Sequence, residues 1–122
     1  MIRVFDWTQG ELLEGLLCYR EGKYFEAHEH WELVWLQAVE PEKTFLQALI
    51  LLAGSFHHFG RGNKNGALSM LRKSLSRLDK YPEIFGGIAV GTLRADLRGW
   101  LVALETELVD KPAIPQINFA SP

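Results

Sequence analysis

The segment Glu26-Ala27-His28-Glu29-His30-Trp31-Glu32-Leu33-Val34-Trp35 sets a histidine, a carboxylate and an indole at i, i+4 and i+7. At about 100° of rotation per helical residue, Glu32 lies ~40° and Trp35 ~20° from the line through His28. The three share one helix face, and large apolar side chains share it with them. Such a trio has three outcomes: it bonds internally, it holds a ligand or metal, or it costs stability.

Imidazole and carboxylate one turn apart can chelate a divalent cation, and a histidine from a neighbouring helix would supply a third ligand. Folding the chain back at Pro41 lays the next helix antiparallel to this one. On that helix Gln47, Leu51, Gly54 and His58 fall in one stripe. The expectation is a buried polar seam with Trp35 and Gln47 at one end, Glu32 midway, and His28 with His58 at the other. Gly54 would let the facing helix or a bound group come close. In the metal reading His28, Glu32 and His58 are the ligands, supported by Trp35 and Gln47. That donor set suits zinc, iron, nickel or manganese without choosing among them.

A structural reading competes with it. Glu32 would hold His28 by a charge-assisted hydrogen bond, Trp35 would donate its N–H nearby, and no ligand would be needed. A metal-free small-molecule site is the third option. Glu29 and His30 fall on adjacent faces and are expected in solvent. His57 points ~100° away from His58, so only one of them should face the seam.

The elements that must position these groups are helical. Thr8-Gln9-Gly10-Glu11 has the form of a capping box, and Leu12, Leu13, Leu16 and Leu17 follow at helical spacing up to Gly22. A second helix is expected from about Lys23 to Val39, burying Phe25, His28, Trp31 and Trp35. Glu40-Pro41 breaks it. The third, about Glu42 to Phe59, is apolar nearly all round and should be central. Asn63 caps a fourth, whose stripe is Leu68, Leu71, Leu75 and Leu78. The last, about Val90 to Val109, buries Leu93, Leu97, Trp100, Leu101, Leu104 and Leu108. No segment alternates as a strand, and residues 110–122 form an extended tail with three prolines. The fold class is therefore all-α, a compact bundle of about five helices in one domain spanning 1–122.

An offset of forty residues aligns Leu12 with Leu52, Leu16 with Phe56, Gly22 with Gly62, Ala27 with Ala67, Trp31 with Leu71, and Trp35 with Leu75. Two similar helical hairpins plus a covering fifth helix would produce that match.

Composition narrows the function classes. With 122 residues, 48% hydrophobic and 23% charged, the chain can bury a core without staples. Net charge is −2, which gives no overall bias toward nucleic acid or anionic membrane. Residues 1–60 carry nine acids against four bases, and residues 61–122 six acids against nine bases. The single cysteine, Cys18, rules out an internal disulfide framework and reads as an inert helical thiol. The longest apolar stretch, Phe45 to Phe59, is interrupted by Gln47, Ser55, His57 and His58 and is too short to span a bilayer. A cytoplasmic, non-membrane protein is expected. Arg61, Lys64, Arg72, Lys73, Arg77 and Lys80 cluster on or before the fourth helix. Without interleaved aromatic residues they read as a solvated face, not a nucleic-acid surface.

The His28-x-x-x-Glu32-x-x-Trp35 pattern resembles the bacterial and archaeal family catalogued as domain of unknown function 309. Glu21 to Glu29, Phe45 to Ile50, and His58 through Arg61-Gly62-Asn63 to Gly66-Ala67 extend the likeness over most of residues 12–80. Ala48 and Leu51 depart from the family pattern, which carries glycine and often glutamine there. The resemblance implies a small all-helical fold and a motif associated with metal binding. Beside a metal-binding protein stands a second class, a tetratricopeptide-like interaction module in which the cluster is purely structural. Whether the chain acts as an enzyme, or pairs with a second copy of itself, is left open by the residues.

Overall fold

The computed structural model describes residues 5–107 and 110–121. Five helices form the bundle: α1 (Gly10–Arg20), α2 (Tyr24–Trp35), α3 (Glu42–Gly60), α4 (Lys64–Leu78) and α5 (Val90–Glu105). The fold is all-α apart from a two-stranded hairpin, β1 (Ile84–Phe85) with β2 (Ile88–Ala89). No described helix is long and apolar enough to cross a membrane.

The central place of α3 follows from its composition. Phe45, Leu46, Ala48, Leu49, Leu52 and Ala53 are all fully buried, with α2 on one side and α4 on the other. Two serines tighten the α3–α4 pair. Ser55 Oγ donates to the Ala67 carbonyl and Ser74 Oγ to the Ala48 carbonyl, each at 2.7 Å. Both hydroxyls are buried and satisfied, so neither costs the stability that an orphaned polar group would.

The forty-residue echo is a repeat of backbone geometry. Gly22 and Gly62 sit at φ +79° and +78°, the left-handed region where a side chain would be strained. The Gly22 N–H donates to the Tyr19 carbonyl and the Gly62 N–H to the Phe59 carbonyl, both at 3.1 Å. One residue on, Lys23 N–H reaches the Cys18 carbonyl and Asn63 N–H the His58 carbonyl, both at 2.8 Å. Ala27 and Ala67 then bond back to Lys23 and Asn63 at 3.0 Å. Each turn ends one helix with a Schellman motif and starts the next within the same few residues. Trp31 and Leu71, at equivalent places, are both fully buried.

Several expectations need correction. Thr8 does not cap α1: its N–H and hydroxyl both go to the Asp6 carboxylate, which also accepts from Gln9 Nε2. An aspartate two residues upstream outcompetes the reciprocal Thr–Glu arrangement, and α1 starts at Gly10. Helix α2 stops at Trp35, four residues short of Val39. The hairpin was not expected, although Ile84-Phe85-Gly86-Gly87-Ile88-Ala89 carries its signal. Gly86 and Gly87 take φ +57° and +81°, as a two-residue hairpin turn demands. The far end of the last expected helix, including Leu108, lies outside the described residues.

Candidate functional site

The helices leave a pocket of about 300 Å³ between α2, α3 and α4. Its polar lining is His28 and Glu32 from α2 with Gln47, His57 and His58 from α3. Phe25, Ile50, Leu51 and Met70 supply the apolar walls. The fold thus gathers four of the five expected residues into one cavity.

The fifth, Trp35, is elsewhere. It does not line the pocket with Gln47; its ring lies 4.2 Å beneath the Lys43 ammonium, whose Nζ also donates to the Trp35 carbonyl at 3.1 Å. The indole N–H is buried and has no hydrogen-bond partner among the described residues. Since α2 ends at Trp35, the following turn brings Lys43 over the ring and breaks the line that the spacing implied.

The seam is also less buried than expected. His28 Nε2 approaches Glu32 Oε2 at 3.2 Å, but the side chains are 32% and 51% exposed. The pair forms the rim of an open pocket. The other ring nitrogen, His28 Nδ1, is buried and unpartnered among the described residues. Hence the internally bonded network is incomplete: two of the trio's polar atoms find no hydrogen-bond partner among the described residues.

His57 and His58 both line the pocket, with ring centroids 5.8 Å apart. Long side chains converge over the last turn of α3 even though their Cβ vectors diverge. The tautomer of His58 follows from its neighbour. Gly66 N–H donates to Asn63 Oδ1 at 2.9 Å, which fixes the amide and presents Asn63 Nδ2 to His58 Nδ1 at 3.1 Å. Nδ1 must therefore accept, and in the neutral ring Nε2 carries the proton. His58 offers the pocket a donor, not a metal-binding lone pair. Among the described residues, no group of three or more His, Cys, Asp or Glu side chains is arranged to hold a metal. The His28–Glu32–His58 ligand set is not assembled as these side chains stand.

Sequence reasoning missed three features. Phe25 was expected in the core but is 48% exposed, stacked against His28 and tilted on His57 with centroids 6.0 and 5.4 Å away. It sits in the first turn of α2, where a residue can lean over a neighbour without entering the core. Gly54 does not admit α2: a Cβ there would meet Met70 Sδ at 2.7 Å, so α4 fills the space. His30 is hydrogen-bonded through Nδ1 to the Glu11 carboxylate of α1 and not free in solvent. The basic face of α4 is partly neutralised, Arg72 by Glu105 and Lys64 by Glu107, at 2.8 and 2.6 Å. Cys18 is half-buried, and burial pushes its thiol above the usual cysteine range, which disfavours the reactive thiolate.

Residues 12–70 match the family model described as Domain of unknown function (DUF309). They include both repeated turns and all the pocket residues. A relative named "Uncharacterized protein" from Aquifex aeolicus (strain VF5) is 33% identical over 115 residues, which is 93% of this chain. The chain spans about a third of that relative's length. Neither name specifies an activity.

Proposed function

We propose that the α2–α3–α4 pocket is a ligand site in which His28 Nε2 and the Glu32 carboxylate take a divalent cation. Gln47 lies alongside, and the His58 Nε2–H donates to whatever anionic group completes the coordination. The observation that carries the reading is the approach of His28 Nε2 to Glu32 Oε2 at 3.2 Å on the rim of a pocket that Gln47 and His58 also line. Half-exposure of His28 and Glu32 gives a solute access to the pair. The protein is taken to be cytoplasmic, in keeping with a single unpaired thiol.

Titration calorimetry and elemental analysis of tag-free protein with zinc, nickel and manganese test the proposal. One equivalent is expected, lost in His28→Ala and in Glu32→Ala. Wild-type protein that neither retains nor titrates any of the three at micromolar concentration would overturn it, as would unchanged binding in His28→Ala.

Stability separates this reading from the structural one. Glu32→Ala should change unfolding free energy by less than about 0.5 kcal/mol, as expected for a half-exposed side chain. A network that depended on Glu32 would instead lose about 1–3 kcal/mol. Urea denaturation of the metal-free protein distinguishes the two.

The interaction-module reading has one observation in its favour, the duplicated helix–turn–helix geometry around Gly22 and Gly62. Two hairpins and a covering helix are fewer units than a self-standing helical array needs.

A further inference from the structure

The extended tail is anchored to the bundle. Between Ala113 and Ala120 it crosses from the end of α5 back over the C-terminal end of α1 to the β-hairpin, held at four backbone positions. Trp100 Nε1 of α5 donates to the Ala113 carbonyl at 2.8 Å, and the Tyr19 hydroxyl of α1 donates to the Pro115 carbonyl at 2.7 Å. Farther on, Ala89 N–H donates to the Asn118 carbonyl and Ala120 N–H to the Gly87 carbonyl, both at 2.9 Å, adding the tail to the hairpin edge. Pro115 and Ile117 are buried beneath it.

Proteins bind extended peptides by the same kinds of contact. Pro112-Ala113-Ile114-Pro115 is a Pro-x-x-Pro segment. Such segments are read by aromatic side chains whose O–H and N–H groups donate to their carbonyls, because proline itself has no N–H to offer. Tyr19 and Trp100 fill that role, both nearly inaccessible with the tail in place. Strand addition to an exposed edge is the second general mode of peptide capture, and it operates here at Ile88 and Phe119. Burial, reinforced by Tyr24 and Asp96, pushes the Tyr19 phenol far above the usual tyrosine range, so it remains a donor.

We propose that the face formed by Tyr19, Trp100 and the hairpin edge is a docking groove for an extended Pro-x-x-Pro segment, and that a second copy of this chain supplies it by exchanging tails. The second copy is the partner whose segment presents both carbonyls, Pro115 and Ile117 in the register the groove already accepts. Exchange creates no contact that the single chain lacks, which makes it a low-cost route to pairing. The chain's own tail competes from a high effective concentration and holds the groove in the isolated molecule.

A fluorescein-labelled synthetic peptide of residues 110–121, the minimal donor from a second copy, tests this by anisotropy against full-length protein. Ile117→Ala, which loosens the resident tail, should bind the peptide at least about tenfold more tightly than wild type. Adding Trp100→Phe should weaken that binding about fivefold, the share of one neutral hydrogen bond. A folded Ile117→Ala protein that shows no binding up to about 100 μM peptide would overturn the proposal. If that variant does not fold, hydrogen exchange on the unaltered protein decides. Exchange of the Ala120 amide about a hundredfold faster than the α3 amides supports a releasable tail, and exchange together with α3 overturns it.

Discussion

Trp31→Ala should destabilise the protein by about 4 kcal/mol in urea denaturation, the largest loss from any single side chain described here. Trp31 is fully buried, projects from α2 between Trp7 and Tyr19, and donates its indole N–H to the Leu12 carbonyl of α1 at 3.3 Å. Its ring lies flush on Gly15, where a Cβ would fall 2.3 Å from Nε1 and 2.4 Å from Cδ1. The surrounding rings are themselves locked, so the cavity left by alanine could not collapse. Gly15→Ala attacks the same contact from the other side and should cost about 2–3 kcal/mol by overpacking. Combining Gly15→Ala with Trp31→Phe should cost less than the two single losses added, since a smaller ring relieves the crowding. Equal additive losses would show that the indole and the glycine do not share one contact. The α1–α2 interface also sets the orientation of α2. A Trp31→Ala protein that still folds should therefore lose the His28–Glu32 site, although neither residue is changed.

How much of this was legible from the chain depends on whether a signal was local. The forty-residue offset marked both turns correctly because a left-handed backbone position calls for glycine, and glycine is visible as a letter. Asn63 as a helix cap was legible for the same reason, and its side chain accepts from Gly66 N–H as expected. The coincidence of His28, Glu32, Gln47 and His58 around one pocket followed from helical rotation and an antiparallel turn. What failed was depth. Rotation places side chains on a face but does not say how deeply that face is covered, and here His28 and Glu32 stay partly exposed. Trp35 was lost when α2 ended early and Lys43 came down on the ring. The tautomer of His58 depends on an amide from the α3–α4 turn, which no single-helix pattern contains. Asp6 was passed over because Thr8 and Glu11 matched a familiar arrangement, and a shorter Asx turn won.

A second large effect is expected at Arg94, which no charge pattern separates from the other basic residues of the chain's second half. The side chain is buried, and Nη1 donates to the Leu78 carbonyl at 3.0 Å and the Tyr81 carbonyl at 2.7 Å. Nη2 reaches Glu83 Oε1 at 3.0 Å. One guanidinium thus closes the C-terminal end of α4, where carbonyls have no helical partner, and ties it to the segment entering the hairpin. Arg94→Ala removes both bonds, leaving the Leu78 carbonyl only the Tyr81 N–H at 3.0 Å, and should cost about 3 kcal/mol. Arg94→Lys should recover little of it, because a single ammonium cannot span the fork. Glu83→Gln is the informative control. Its carboxylate is 82% exposed, so the ion pair itself contributes little and the change should stay within about 0.5 kcal/mol. The backbone of Glu83 accepts from both Val90 N–H and Gly91 N–H at the start of α5, at 2.8 and 3.0 Å. Loss of Arg94 should therefore raise exchange at those two amides before α3 is affected. If Glu83→Gln proved as damaging as Arg94→Ala, the stabilisation would reside in the ion pair and not in the capped carbonyls.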